Sequence, residues 1–245
     1  MSSTSYNDIA EWYDRYLHEN PLYQGVLLPN VLTLVGEVQG NMLCDLACGQ
    51  GWISRELARR GAKVTGIDLA DNLLALAQRD EEQEKLGIVY LKDDAQSAQV
   101  LANQSFDGAI CIMALMNMQD ITATFQTARR ILKLGGWFVF AITHPCFQTP
   151  HAQWLTTNDG TIKRAVSGYF EERLWSSSHS QGVRSRVGEY HRMLSTYLNT
   201  LVTTGFALER MVEPLATGER AEQEPGNREV PSLLLIRARA GEILQ

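Results

Sequence analysis

Short apolar runs alternate with helical patterns from Met42 to Thr143, and no other feature of the sequence restricts the fold as much. "MLCDLA" is followed by "ISRELARRG", and "KVTGID" by "NLLALAQRDEEQEK". "IVYLKD" precedes a looser stretch, "FDGAICIM" precedes "DITATFQTARRILKLGG", and "WFVFAIT" closes the series. Strands of about five to eight residues separated by helices make βαβ units. Their right-handed crossovers put helices on both faces of a mainly parallel sheet. Upstream, a helix pattern over about residues 6–18 leads to a second helical stretch, punctuated by Pro21 and Pro29 and ending near Gly40. The rhythm breaks after Thr143. Residues 144–189 are rich in His, Trp, Ser, Gly and Gln, lack clear periodicity, and follow the fifth strand at the end where open α/β sheets bind ligands. A segment of that length without regular structure is unusual in a compact domain unless it is functional or disordered. Helix returns in "YHRMLSTYLNTLVTTG", followed by "FALERMVEP" and "PSLLLIRARA". The polar connection of about seventeen residues between those last strands is a poor crossover helix, so an antiparallel final pair is predicted.

The first turn of the series, in "LCDLACGQGWISRELA" from Leu43, carries Gly49 and Gly51 but Ser54 where a dinucleotide fingerprint has its third glycine. The glycines let the backbone approach a ligand, and the free N–H groups of the following helix favour an anion. A pyrophosphate and a carboxylate-bearing ligand fit this equally well. Asp45, at the end of the strand, separates them: aimed at the crevice, it would repel a pyrophosphate and suit a cationic group. Asp68, at the tip of "KVTGID", is placed to accept hydrogen bonds from ribose hydroxyls; this points to a nucleoside but is shared by both readings. Asp94, in "KDDAQ", is placed to meet an adenine edge, with a solvated loop acid as the alternative. Adenine, ribose, a cationic centre, an amino group and a carboxylate together describe S-adenosylmethionine.

"LCDLACGQG", "VTGIDLADNLL", "LKDDAQ", "FDGAICIMALMNMQD" and "ILKLGGWFVFAITHP" resemble, in order, the successive motifs of class I S-adenosylmethionine-dependent methyltransferases, with "GFALERMVEP" and "LLLIRARA" resembling that family's last two strands. Ala47 and Cys48 stand where the family usually has glycine and its neighbour, which makes the first turn bulkier. The resemblance implies a Rossmann-like, doubly wound seven-stranded sheet with an antiparallel last strand and S-adenosylhomocysteine as the cofactor product. It implies a lid over residues 1–40, a cofactor-binding core over 41–143, an acceptor-site insertion over 144–190 and the rest of the core over 191–245. It also implies that Asp45, Leu46, Ala47, Gly49 and Gly51 line the methionine end, that Asp68 binds the ribose with Leu69 packed on adenine, and that Asp94 and Ala95 meet the adenine amino group and ring. Cys111 to Met113 would offer carbonyls beside the sulfonium, and Tyr6 and Tyr13 would belong to the lid, with plain amphipathic packing as their alternative.

Composition narrows the partners. The 245 residues are 44% hydrophobic and 20% charged, an ordinary globular balance, and the net charge of −6 argues against a surface built for long nucleic acid. Cys44, Cys48, Cys111 and Cys146 form no CxxC pair and no zinc spacing, which predicts a reducing compartment. No stretch approaches the roughly 20 apolar residues of a membrane span, and no signal peptide is evident, so a cytoplasmic chain without a membrane partner is expected. No His or carboxylate cluster has metal-ligand spacing.

A methyl acceptor with an oxygen or nitrogen nucleophile can require removal of its proton. His144, directly after the fifth strand and before Pro145, is the candidate base, with a structural hydrogen bond at a strand end as the alternative. His151, His179 and His191 also lie in or beside the insertion, and Arg192 opens the next helix, placed for a substrate anion or for capping. Phe147, Trp154, Tyr169, Phe170 and Trp175 could wall an apolar acceptor pocket. Strand four ends "CIMALMN", without the Pro-Pro-aromatic motif of base-amino methyltransferases. The leading expectation is an enzyme acting on a small, partly apolar metabolite. A non-catalytic sensor of the cofactor, an RNA methyltransferase and an NAD-dependent dehydrogenase are the competing classes.

Overall fold

The computed structural model describes residues 5–177 and 182–241. Its centre is a seven-stranded sheet built from β1 (Met42–Leu46), β2 (Lys63–Asp68), β3 (Val89–Lys92), β4 (Phe106–Ile112), β5 (Leu132–Thr143), β10 (Phe206–Val212) and β11 (Leu233–Ala240). The order is β10-β11-β5-β4-β1-β2-β3. β1 pairs in parallel with β2 and β4, as do β2 with β3 and β4 with β5, whereas β11 is antiparallel to both β10 and β5. The chain order reverses beside β1, so a crevice opens at the carboxyl ends of β1 and β4, the usual ligand position in such sheets.

Two layers of helices flank the sheet. One face carries α2 (Leu28–Val35), α3 (Trp52–Ala58) and α4 (Asp71–Glu84), and the other α5 (Ile121–Ile131) and α7 (Leu194–Thr203). Because both faces are covered, the central strands read as continuous apolar runs rather than alternating ones. In β5, Trp137 to Ile142 are buried without interruption, and Phe138 and Phe140 pack against Phe125 of α5 with ring centroids 5.9 and 5.5 Å away. Asp120 caps α5 by accepting from the Ala123 amide at 3.0 Å.

The expected architecture holds, with local differences. The helix read through "RRILKLGG" ends at Ile131, and Leu132 already begins β5. The N-terminal helices are α1 (Ala10–Glu19) and α2, joined by a π-helical turn over Leu22–Leu27. The segment after Thr143 has regular structure: β6 (Gln153–Thr156) pairs with β7 (Ile162–Ala165), and β8 (Arg173–Trp175) with β9 (Glu189–His191), with α6 (Val183–Val187) between the latter two. These strands are three or four residues long, too short to leave a period in the sequence. The polar connection before β11 holds only the short α8 (Gly218–Gln223) and a 3₁₀ turn, so no crossover forms and β10 and β11 run antiparallel. Among the described residues, no helix is long and apolar enough to cross a membrane.

Candidate functional site

The turn after β1 is tied to the tip of β2. The Gly49 amide donates to one oxygen of Asp68 at 2.8 Å, the Ala70 amide to the other at 2.8 Å, and the Cys48 amide to the Ile67 carbonyl at 2.9 Å. Burial raises the Asp68 pKa although those N–H groups hold it down, and each carboxylate oxygen keeps a lone pair for a further donor. Gly51 starts α3 with φ +77°, and a Cβ there would stand 2.1 Å from the Tyr90 hydroxyl, so only glycine fits. Ala47 and Met113 also sit in the left-handed region, at φ +59° and +56°. Strain in non-glycine residues concentrates at functional sites, and both residues line the same cavity.

That cavity, of about 580 Å³, opens at the carboxyl ends of β1, β2 and β4. Asp68, Leu69, Asp94 and Ala95 stand on its wall, and Tyr6 and Tyr13 reach it from the N-terminal segment. Its described lining has three carboxylates (Asp68, Asp93 and Asp94) and no lysine or arginine. Asp94 turns one oxygen back to the Gln96 amide at 2.9 Å, and Asp93 accepts from the Val100 amide at 2.8 Å. An acid at the position of Asp68 serves the ribose of a dinucleotide or of a sulfonium nucleoside, but with Asp93 and Asp94 beside it and no cation in the described lining, the cavity suits a positively charged nucleoside better than a pyrophosphate. The residues therefore fit S-adenosylmethionine: an acidic group with spare acceptors, strained backbone at the turn, and apolar walls from Leu69 and Ala95.

A second cavity, of about 440 Å³, shares Tyr6, Tyr13, Met113 and Asn117 with the first and extends beneath the insertion. Tyr6 and Tyr13 meet edge to face with centroids 5.1 Å apart, and the Asn117 side-chain amide donates to the Tyr6 hydroxyl at 3.0 Å. Burial raises the Tyr6 phenol pKa, and Tyr23, Glu189 and Asp68 add to it, so its hydroxyl lies within electrostatic reach of a carboxylate from each cavity. Glu189 is 4% exposed and lines the second cavity. The Arg184 Nε donates to it at 2.8 Å; burial raises its pKa while that guanidinium opposes the rise.

Of the residues expected to hold the cofactor, Tyr13, Ala47, Gly49, Asp68, Leu69, Asp94, Ala95 and Met113 come together on the first cavity. Asp45, Leu46 and Gly51 do not reach it. Leu46 is fully buried, and Asp45, 2% exposed, accepts from the Ser54 hydroxyl at 2.6 Å. Burial pushes the Asp45 pKa up to about 7; Ser54 opposes this and Asp68 adds to it. The discriminating charge assigned to Asp45 is thus carried by Asp93 and Asp94, beside Asp68, because Ser54 turns the Asp45 side chain into the core.

The acceptor side needs larger corrections. His144 lies outside both cavities: its Nδ1 accepts from the Cys146 amide at 3.2 Å, its Nε2 donates to Glu213 at 2.7 Å, and Phe147 packs on the ring. Burial lowers its pKa against the pull of Glu213, so the ring is neutral at pH 7 and both nitrogens are engaged in holding the strand end. His191 Nε2 bonds the Tyr169 carbonyl at 2.9 Å, Arg192 donates to the carbonyls of Met118 and Gln119, and the Tyr169 hydroxyl accepts from the Leu194 amide. These three are structural ties. His151 is exposed on an outer cleft, Phe170 is 82% exposed, and His179 lies outside the described residues. Only Trp154 of the five expected acceptor-side residues lines the second cavity. Tyr23, Arg184, Glu189 and Arg220 line it too, and none was singled out from sequence. Their only sequence signals were an unexplained acid and base in an aperiodic segment, and an Arg220–Glu224 spacing of four in a polar connector.

A family model described as a methyltransferase domain matches residues 44–140. The crystal structure of an S-adenosylmethionine-dependent methyltransferase from Mesorhizobium loti is 30% identical with a TM-score of 0.76, covering 91% of this chain and 99% of that one. A Geobacillus sp. (strain WCH70) protein described as a methyltransferase is 26% identical over 77% of this chain and 79% of its own length. A ubiquinone biosynthesis O-methyltransferase of Nitrosomonas europaea is 29% identical over 58% of this chain, and the match spans 61% of that enzyme's length.

Proposed function

The chain belongs to the class I S-adenosylmethionine-dependent methyltransferases, and we propose that it methylates an oxygen or nitrogen of a small metabolite held in the second cavity. The observation that carries this is the meeting of two cavities at Tyr6, Tyr13, Met113 and Asn117. One has the acidic lining that suits a cationic nucleoside, and the other has room for a small acceptor but not for folded RNA. Similarity to ubiquinone biosynthesis O-methyltransferases such as that of Nitrosomonas europaea supports oxygen over nitrogen.

When bound, S-adenosylmethionine supplies a methyl group already activated by its sulfonium, so the chain's task is to bind, align and exclude water. Asp68 accepts hydrogen bonds from the ribose hydroxyls with the lone pairs left by Gly49 and Ala70. Leu69 and Ala95 flank the adenine, with Asp94 at its edge. The strained backbone at Ala47, Gly49 and Met113 faces the methionine end. Tyr6 and Tyr13 close the boundary between the cavities. Glu189, paired with Arg184, receives the acceptor's proton in the role first assigned to His144.

The test is incubation with methyl-labelled S-adenosylmethionine and a panel of small hydroxylated and amino metabolites, read by mass spectrometry. Gain of one labelled methyl by a panel member, with matching release of S-adenosylhomocysteine, supports the proposal. Tight cofactor binding with no methylated product across the panel would favour the sensor reading.

A further inference from the structure

The protein carries 28 acidic against 22 basic side chains, yet the acceptor side of the molecule gathers guanidinium groups. Arg184 and Arg220 line the second cavity, which continues past Trp154, Gln148 and Glu224 into an outer cleft where Arg164 stands. Arg173, also on that cleft, is paired with Glu171 at 3.1 Å. The other three guanidiniums face two lining carboxylates, Glu189 and Glu224. Glu189 is taken by Arg184 at 2.8 Å and Glu224 by Arg220 at 2.8 Å. Arg164 is left with neutral acceptors, the Phe147 carbonyl at 2.8 Å and the Gln148 side chain at 3.2 Å, while its guanidinium stacks over Trp154 at 4.8 Å. Burial lowers the Arg164 pKa, the nearby charge of Arg184 lowers it further, and Glu224 only partly opposes them. Positive charge is therefore in excess where the acceptor must enter.

Arg220 adds a second observation. Its side chain is 12% exposed, and its Nε is buried without a hydrogen-bond partner among the described residues. Its paired Glu224 is 45% exposed and also accepts from Asn227, so it is a loosely held partner. A carboxylate on an incoming ligand could displace Glu224 from the Arg220 guanidinium, which lines the second cavity, and draw on the surplus charge of Arg164 and Arg184.

We infer that the methyl acceptor is a small carboxylic acid whose carboxylate seats on Arg220, with its hydroxyl or amine directed to the Tyr6 and Met113 side of the cavity. This rests on the methyltransferase function proposed above. In that arrangement the guanidinium anchors the acceptor at one end and Glu189 meets its reacting group at the other. Such two-point holding orients a small molecule in a cavity that is otherwise walled by tyrosines.

The test uses the full chain saturated with S-adenosylhomocysteine and titrated calorimetrically with small aromatic hydroxy acids, each paired with its uncharged primary amide. The acids are expected to bind about tenfold or more tightly than their amides, the scale of a charge-assisted hydrogen bond. In Arg220→Gln that preference is expected to vanish while affinity for S-adenosylhomocysteine stays at the wild-type value, which also reports that the variant is folded. Arg220→Lys, which keeps the charge but lacks the planar guanidinium fork, is expected to retain only part of the preference and serves if the glutamine variant does not fold. Equal binding of acids and amides, no binding by any pair, or a preference that survives both substitutions would overturn the inference. Failure of the wild-type chain to bind S-adenosylhomocysteine would instead overturn the function on which it rests.

Discussion

The backbone amide of Gly49 lies 2.8 Å from the carboxylate of Asp68, so the strained turn after β1 and the tip of β2 form a single unit on the wall of the first cavity. Asp68 therefore holds the turn in place and, in the proposed function, also offers acceptors to the ribose. Asp68→Ala is expected to weaken S-adenosylmethionine binding by about 1.5–3 kcal/mol, the scale of a hydrogen bond to a charged group. Isothermal titration checks it, and unchanged affinity would remove Asp68 from the site.

In the proposed function Glu189, on the wall of the second cavity, takes the acceptor's proton, and it can do so only as a carboxylate. Glu189→Gln keeps the volume and most of the polar contacts. Turnover with an identified acceptor should fall by ~10²–10⁴ while cofactor affinity is unchanged. A rate within a fewfold of the wild type would show that the acceptor needs no base.

His144 is expected to behave as a structural residue. His144→Ala removes the bonds to Glu213 and Cys146 and leaves a buried gap beside Phe147. A loss of stability of about 1–3 kcal/mol is expected, toward the low end because Glu213 is 46% exposed and solvent screens that bond. Cofactor affinity and turnover per folded molecule should be preserved. A stable variant that binds cofactor but has lost turnover would return His144 to the mechanism.

Asp45 gives a pH signature. Its folded pKa, raised by burial to about 7 from 3.8, means that the folded state holds a proton the unfolded chain releases. The resulting stability is complete below pH ~4 and is lost as pH rises through ~7. Asp45→Asn is neutral throughout and still offers an oxygen to the Ser54 hydroxyl. Its melting temperature relative to the wild type should therefore climb between pH 5 and pH 8, a difference in which other titrating groups cancel. A constant difference across that range would show that Asp45 is ionised in the fold at acid pH.

The central sheet was legible because its strands are buried on both sides and so appear as unbroken apolar runs such as "WFVFAIT" in β5. The cofactor wall was legible because β1, β2 and β4 deliver their last residues to one crevice, so position along the chain fixes place in space. Asp45 shows the limit of that logic. It is one residue short of the strand end, and a single Ser54 hydroxyl decides whether its side chain faces the crevice or the core. The acceptor side was largely hidden. β6 to β9 are too short for periodicity, and Glu189, Arg184 and Arg220 are brought together by hairpins and a connector whose pairing depends on long-range contacts. His144 misled for a related reason: its partner Glu213 is 69 residues away in sequence.

The central claim is that Asp93 and Asp94, beside a ribose-binding Asp68 and with no cation in the described lining, favour a positively charged adenosyl compound over a pyrophosphate. Calorimetric titration of the purified chain with S-adenosylmethionine and, separately, with NADH tests it most directly. Saturable one-to-one binding of S-adenosylmethionine with no detectable heat from NADH is expected. Firm binding of NADH by a chain that ignores S-adenosylmethionine would contradict it.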